Sequence, residues 1–160
     1  MTYKDFPHTV ECMNRFGEQF VSKYKERLTA DGNNDGELFK TVRFNVIVNN
    51  DSWVIRINLA DYWKWAENGR GPGKMPPKEP IDSWIKKKRI VPTMMKLSNG
   101  KTVVPTMNQL SFLIRRKIGR EGTQGHYYFK NTYEELIEQF KSDLHNAVEE
   151  DVKASIQDIL

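Results

Sequence analysis

The last thirty residues restrict this chain more than any other part of it. Tyr133, Leu136, Ile137, Phe140, Leu144, Ala147, Val148, Val152, Ile156 and Ile159 recur at spacings of three and four. That period predicts one long helix over roughly residues 131–158, with a continuous apolar stripe and acidic remaining faces. Such a stripe is more than a chain of 160 residues readily covers by itself. The fold must therefore set other elements against it, or leave part of it for contacts with other chains.

A second helix is predicted over residues 9–29, where Val10, Met13, Phe16, Phe20, Tyr24 and Leu28 share a face and Thr9 stands ready as its cap. The run DGNNDG at 31–36 ends it. The period then changes to two. Leu38, Val42, Phe44, Val46 and Val48 alternate with polar residues over 37–48, NND at 49–51 turns the chain, and Trp53, Ile55, Ile57 and Leu59 alternate again. This predicts a β-hairpin with one buried face. Asp61 is placed to cap a short helix, YWKWAEN, that stops at Gly69. A helix over 79–88 follows, with Pro80 in its first turn and Ile81, Trp84 and Ile85 on its apolar face. VPTMMKL and KTVVPT flank SNG at 98–100 and predict a projecting hairpin over 91–104, kept from a sheet centre by its prolines. A further helix over 107–119 carries Leu110, Leu113, Ile114 and Ile118 opposite Arg115, Arg116 and Lys117, and HYYF at 126–129 reads as a short strand or extended anchor. The order gives a single α+β domain over 1–160: a small antiparallel sheet packed by an N-terminal helix and a long C-terminal helix, with a projecting hairpin.

Charge is divided sharply along the chain. Residues 1–63 carry 8 basic and 9 acidic side chains, residues 64–130 carry 15 and 4, and residues 131–160 carry 2 and 8. A distribution of −1, +11 and −6 suits head-to-tail association, a nucleic-acid surface, or both. The N-terminal MTYKDFPHTV has no apolar core of a secretory signal, and no apolar run is long enough to cross a membrane. With Cys12 as the one cysteine, no internal disulfide can form, which fits synthesis in a reducing cytosol.

The stretch AENGRGPGKMPPKEPIDSWIKKKRI at 66–90 invites comparison with a phosphate-binding loop. Gly73-Lys74 is followed by Met75, which has no hydroxyl for a magnesium ion, and the position five before Gly73 is Asn68. Prolines at 76, 77 and 80 keep it from opening straight into a helix. His8, His126 and His145 have no second ligand at metal spacing, Cys12 reads as a half-buried inert thiol, and no triad is marked. No enzyme, metal or cofactor is expected. Trp63, Trp65 and Trp84 read as staples of a structural corner built on Gly69, Gly71, Pro76 and Pro77, the alternative being a stacking platform for bases.

Three motifs in order carry a resemblance. Tyr62, Trp65, Glu67, Gly69 and Arg70 form the first; Pro80, Ile81, Trp84 and Ile85 the second; Ile114, Lys117, Ile118, Gly122, Gly125, Tyr128 and Phe129 the third. Together they resemble the tailed-phage neck and tail-completion proteins, also called head–tail connectors or minor tail components, with the hairpin at 91–104 as an insertion. The resemblance implies a structural virion protein made in the bacterial host cytoplasm. It would form a ring of twelve or six copies at the head–tail junction, contact the portal or adaptor and tail proteins, and surround the DNA channel. Candidate subunit-interface or DNA-channel residues are Arg70, Lys74, Lys86, Lys87, Lys88, Arg89, Arg115 and Arg116 on the basic side. Glu134, Glu138, Glu149 and Glu150 are the acidic candidates. The alternative is a sequence-nonspecific nucleic-acid-binding module, supported by the basic middle region.

Overall fold

The computed structural model describes residues 6–49 and 52–157. Its elements are α1 (Pro7–Ala30), α2 (Glu37–Thr41), β1 (Arg43–Val48), β2 (Trp53–Asn58), α3 (Trp63–Asn68), β3 (Gly69–Arg70), α4 (Lys78–Lys87), β4 (Met95–Lys96), β5 (Thr102–Val103), α5 (Met107–Glu121), β6 (Thr123–Gln124) and α6 (Tyr128–Gln157). The fold is α+β. The strands form antiparallel pairs, β1 with β2, β3 with β6 and β4 with β5. The chain divides into two compact units, one of residues 1–67 and 126–160, the other of residues 68–125.

In the first unit, α1 packs along α6 and against the β1–β2 hairpin. Phe16, Phe20, Tyr24 and Leu28 of α1 are buried with Leu38, Val42 and Tyr128, and Phe129, Leu136 and Phe140 pack around them. Aromatic rings join the layers: Phe16 lies 4.3 Å from Phe140 and Phe20 lies 5.0 Å from Phe129. The hairpin sits so close to α1 that a Cβ on Gly17 would come within 2.2 Å of the Phe44 ring. A residue without a side chain lets sheet and helix approach there.

Both helices of this layer are capped from far along the chain. Asp151 of α6, 1% exposed, accepts the backbone N–H groups of His8 (3.0 Å) and Thr9 (2.8 Å) and the Thr9 hydroxyl (2.7 Å). Glu67 of α3, also buried, accepts the N–H groups of Phe129 (2.8 Å) and Lys130 (2.9 Å) at the start of α6. Each carboxylate serves the second and third residues of a helix, as an N-cap side chain does, and places negative charge at the positive end of the dipole.

In the second unit, α4 packs on α5, and Ile85 of α4 is buried. Thr106 and Gln109 make a reciprocal capping box that starts α5. The Gly/Pro stretch is tied to α5: Gly73 N–H donates to the Gly119 carbonyl (2.8 Å), and Arg115 Nε donates to the Pro76 carbonyl (2.8 Å).

Four expectations change. Leu38 belongs to α2 rather than to a strand, because Leu38 and Val42 are buried four residues apart and that spacing also fits one helical turn. HYYF is no strand: Tyr128 opens α6, with Tyr127 at φ +53 just before it. Thr9 does not cap α1, which begins at Pro7; its hydroxyl turns to Asp151 instead. Trp65 is no staple. A helix as short as α3 buries one face only, Trp63, Ala66 and Glu67 take it, and Trp65 stands 63% exposed. Residues 50 and 51 of the expected turn, the MTYKD start and Ile159 lie outside the described residues.

Candidate functional site

The two units carry opposite charge. Residues 68–125 hold 13 basic and 3 acidic side chains, net +10, and the remainder holds 12 and 18, net −6. The basic candidates differ in exposure and in structural role. Lys86 and Lys87 are exposed near the end of α4, Lys74 is exposed in the loop before it, and Arg116 is exposed on α5. Arg115 is half-buried and is spent on Pro76, so it shapes the loop rather than a partner surface. The Arg70 guanidinium likewise bonds the Lys74 carbonyl. Arg89 has a backbone role. Its N–H donates to Lys86 O and that of Ile90 to Ile85 O, which ends α4 with Arg89 in the left-handed region at φ +52.

Apart from Asp151, the acids of α6 fall into two sets. Glu135 and Asp143 face α1, which supplies Lys23 (3.3 Å) and Arg27 (2.7 Å) to the first and Arg15 (3.6 Å) to the second. The candidates Glu134, Glu138, Glu149 and Glu150 stand exposed. Their partners are Lys130 (3.8 Å), Lys141 (2.7 Å), Lys153 (2.5 Å) and His8 (3.6 Å). Exposed pairs of this kind contribute about 0–1 kcal/mol each, so a stronger partner can displace them at little cost.

The corner residues differ in what holds them. Gly69 sits at φ +71, and a Cβ there would meet Thr123 O at 2.1 Å, so the β3–β6 pair admits only glycine at this position. Gly71 is exposed, has an ordinary φ and would meet nothing within 4 Å. Pro77 precedes α4 as its N-cap residue, and Trp84 is 43% exposed on the flank of that helix.

Cys12 and His126 each have a structural setting. Cys12 is fully rather than half buried, and burial pushes its thiol up. His126 Nδ1 lies 3.0 Å from Asp31, its ring stacked 5.0 Å from Tyr128. Burial first, then its hydrogen bond to Asp31, pushes the Tyr128 hydroxyl up to about 12. Among the described residues no group of three or more His, Cys, Asp or Glu side chains could hold a metal ion, and no helix is long and apolar enough to cross a membrane.

Two features were missed in the sequence. Asp151 is a carboxylate inside the apolar stripe, four residues after Ala147, and that position was a legible signal of a buried anion. The other is an apolar groove of about 490 Å³ in the first unit, where α1, β2 and α6 diverge. No family model, curated protein or solved structure matches this chain.

Proposed function

We propose that this protein is a structural ring subunit of a tailed-phage neck or tail-completion assembly, joining the head, through portal or adaptor, to the tail around the DNA channel. The observation that carries the reading is the division of charge into one unit of +10 and another of −6 in a single chain. Identical subunits in a ring meet through two different surfaces, and opposite charges on those surfaces set orientation and register. Basic side chains left over would contact packaged DNA through phosphates, without reading sequence. The resemblance supports the same reading, and its motif residues Glu67 and Gly69 hold backbone that few other residues could hold. Particles assembled without this chain should accumulate filled heads and separate tails. Normal joining in its absence would end the proposal.

A second reading has one observation in its favour: the basic unit suits sequence-nonspecific nucleic-acid binding. Duplex DNA affinity falling steeply with salt, at a strength indifferent to sequence, is its signature.

A further inference from the structure

The stripe of α6 is only partly covered. Tyr133 is 43% and Val148 38% exposed, and both line the apolar groove together with Met13 of α1, Trp53 and Ile55 of β2, and Ile137. At about 490 Å³ the groove has room for several apolar side chains. The other unit has the reverse shape. Its β4–β5 hairpin, pinned by Met95 opposite Val103 and by the Leu97 N–H bond to Lys101 O, shows apolar side chains to solvent. Val103 of β5 is 38% and Leu97 after β4 37% exposed, and directly beside the two strands Met94 is 76% and Val104 58% exposed. Apolar side chains left this open on and beside a paired hairpin mark a contact surface.

From this pairing we infer that the groove of one copy receives the β4–β5 hairpin of a second copy. The charges agree with the shapes. The hairpin carries exposed Lys96 and Lys101 and belongs to the +10 unit. The groove belongs to the −6 unit, and Glu134 and Glu138 follow Tyr133 and Ile137, about 100° further round the α6 axis. Donor and acceptor surfaces are different, so the contact is head-to-tail and propagates into a ring or an open filament. The inference deepens the ring reading and rests on it for its biological sense, but its test is separate.

The test uses two full-length variants and sedimentation velocity across a concentration series, with circular dichroism to verify folding. Met94→Glu places a charge on the hairpin and leaves the groove intact; Tyr133→Glu does the reverse. Both sites are exposed, and Val148→Glu replaces the second variant if that one melts early. Wild type should self-associate, and each variant should weaken its dissociation constant at least about thirty-fold, since a carboxylate would be buried unpaired. Mixing the two variants should then produce a dimer and nothing larger, because one intact hairpin meets one intact groove. Wild type that stays monomeric up to millimolar concentration, variants that associate like wild type, or a mixture of folded variants that stays monomeric each overturns the contact. A ring imaged in particles with the hairpin away from the groove overturns this contact and leaves the ring. Particles with no ring overturn the function proposed above, whatever the mixture does.

Discussion

Replacing Asp151 with alanine tests whether α1 is held to α6 chiefly by apolar packing or also by its distant cap. The side chain is 1% exposed and accepts two N–H groups and one hydroxyl at 2.7–3.0 Å. Loss of an N-cap side chain costs about 0.5–2 kcal/mol. Thr9 is itself buried, so its hydroxyl and N–H would lose their partner without gaining water, adding about 1–3 kcal/mol. The sum for Asp151→Ala is about 3 kcal/mol, and Asp151→Asn, which keeps one acceptor, should cost about half of that. The pH dependence has a definite sign. Burial works to raise this carboxyl, yet the bonds from Thr9 and His8 outweigh it and hold its pKa below the ordinary value. A group depressed in the folded state contributes stability above its unfolded pKa, about 3.9, and loses it as pH falls through the folded value. The gap between wild type and Asp151→Asn should therefore be constant above about pH 5 and narrow below about pH 4. Urea titration at several pH values measures it. Glu150→Gln is the control: exposed and 3.6 Å from His8, it should shift stability by less than about 0.5 kcal/mol. An Asp151→Ala protein within about 0.5 kcal/mol of wild type, with an unchanged denaturant slope, would refute the reasoning.

The corner gives an asymmetric pair: Gly69→Val should cost more than about 2 kcal/mol, through the left-handed φ and the collision with Thr123 O, while Gly71→Val should melt like wild type. Arg89→Gly should stabilise the protein by about 0.5–1 kcal/mol in thermal unfolding, because φ +52 at the end of α4 is strained for arginine; a loss of stability would show that its side chain matters more than its backbone. Nucleotide hydrolysis should be absent with magnesium present, given Met75 after Gly73-Lys74, and turnover abolished by Lys74→Ala would contradict that.

Sequence periodicity located α1, the β1–β2 hairpin, α4, α5 and most of α6, because each is long enough for its period to repeat. It failed at α2, β3 and β6, whereas the equally short β4 and β5 were located by the turn SNG between them and α3 by the glycine that ends it. Leu38 and Val42 satisfy a strand period and a helical turn equally, and β3 and β6 are too short to show any alternation. The start of α6 was hidden because its cap, Glu67, lies 62 residues before Phe129, so no local capping signal precedes Tyr128. Site residues divided in the same way. Charge separation was legible in composition, but which cations have a structural role was not. Arg115 bonds Pro76 across 39 residues and Arg89 occupies a helix end, and neither role follows from being basic. The apolar groove was foreshadowed by the length of the α6 stripe, though its other walls, Met13, Trp53 and Ile55, come from elements that each read as ordinary core.

The central claim is that copies of this chain form a ring at the head–tail junction. Electron cryomicroscopy of an intact particle, with this chain located in the map, tests it most directly. The account predicts a closed ring on the portal axis, with the basic 84–120 region of each copy against the acidic α6 of the next. A ring whose contacts leave both regions free would contradict the charge mechanism. Isolated copies away from the portal axis would contradict the ring itself.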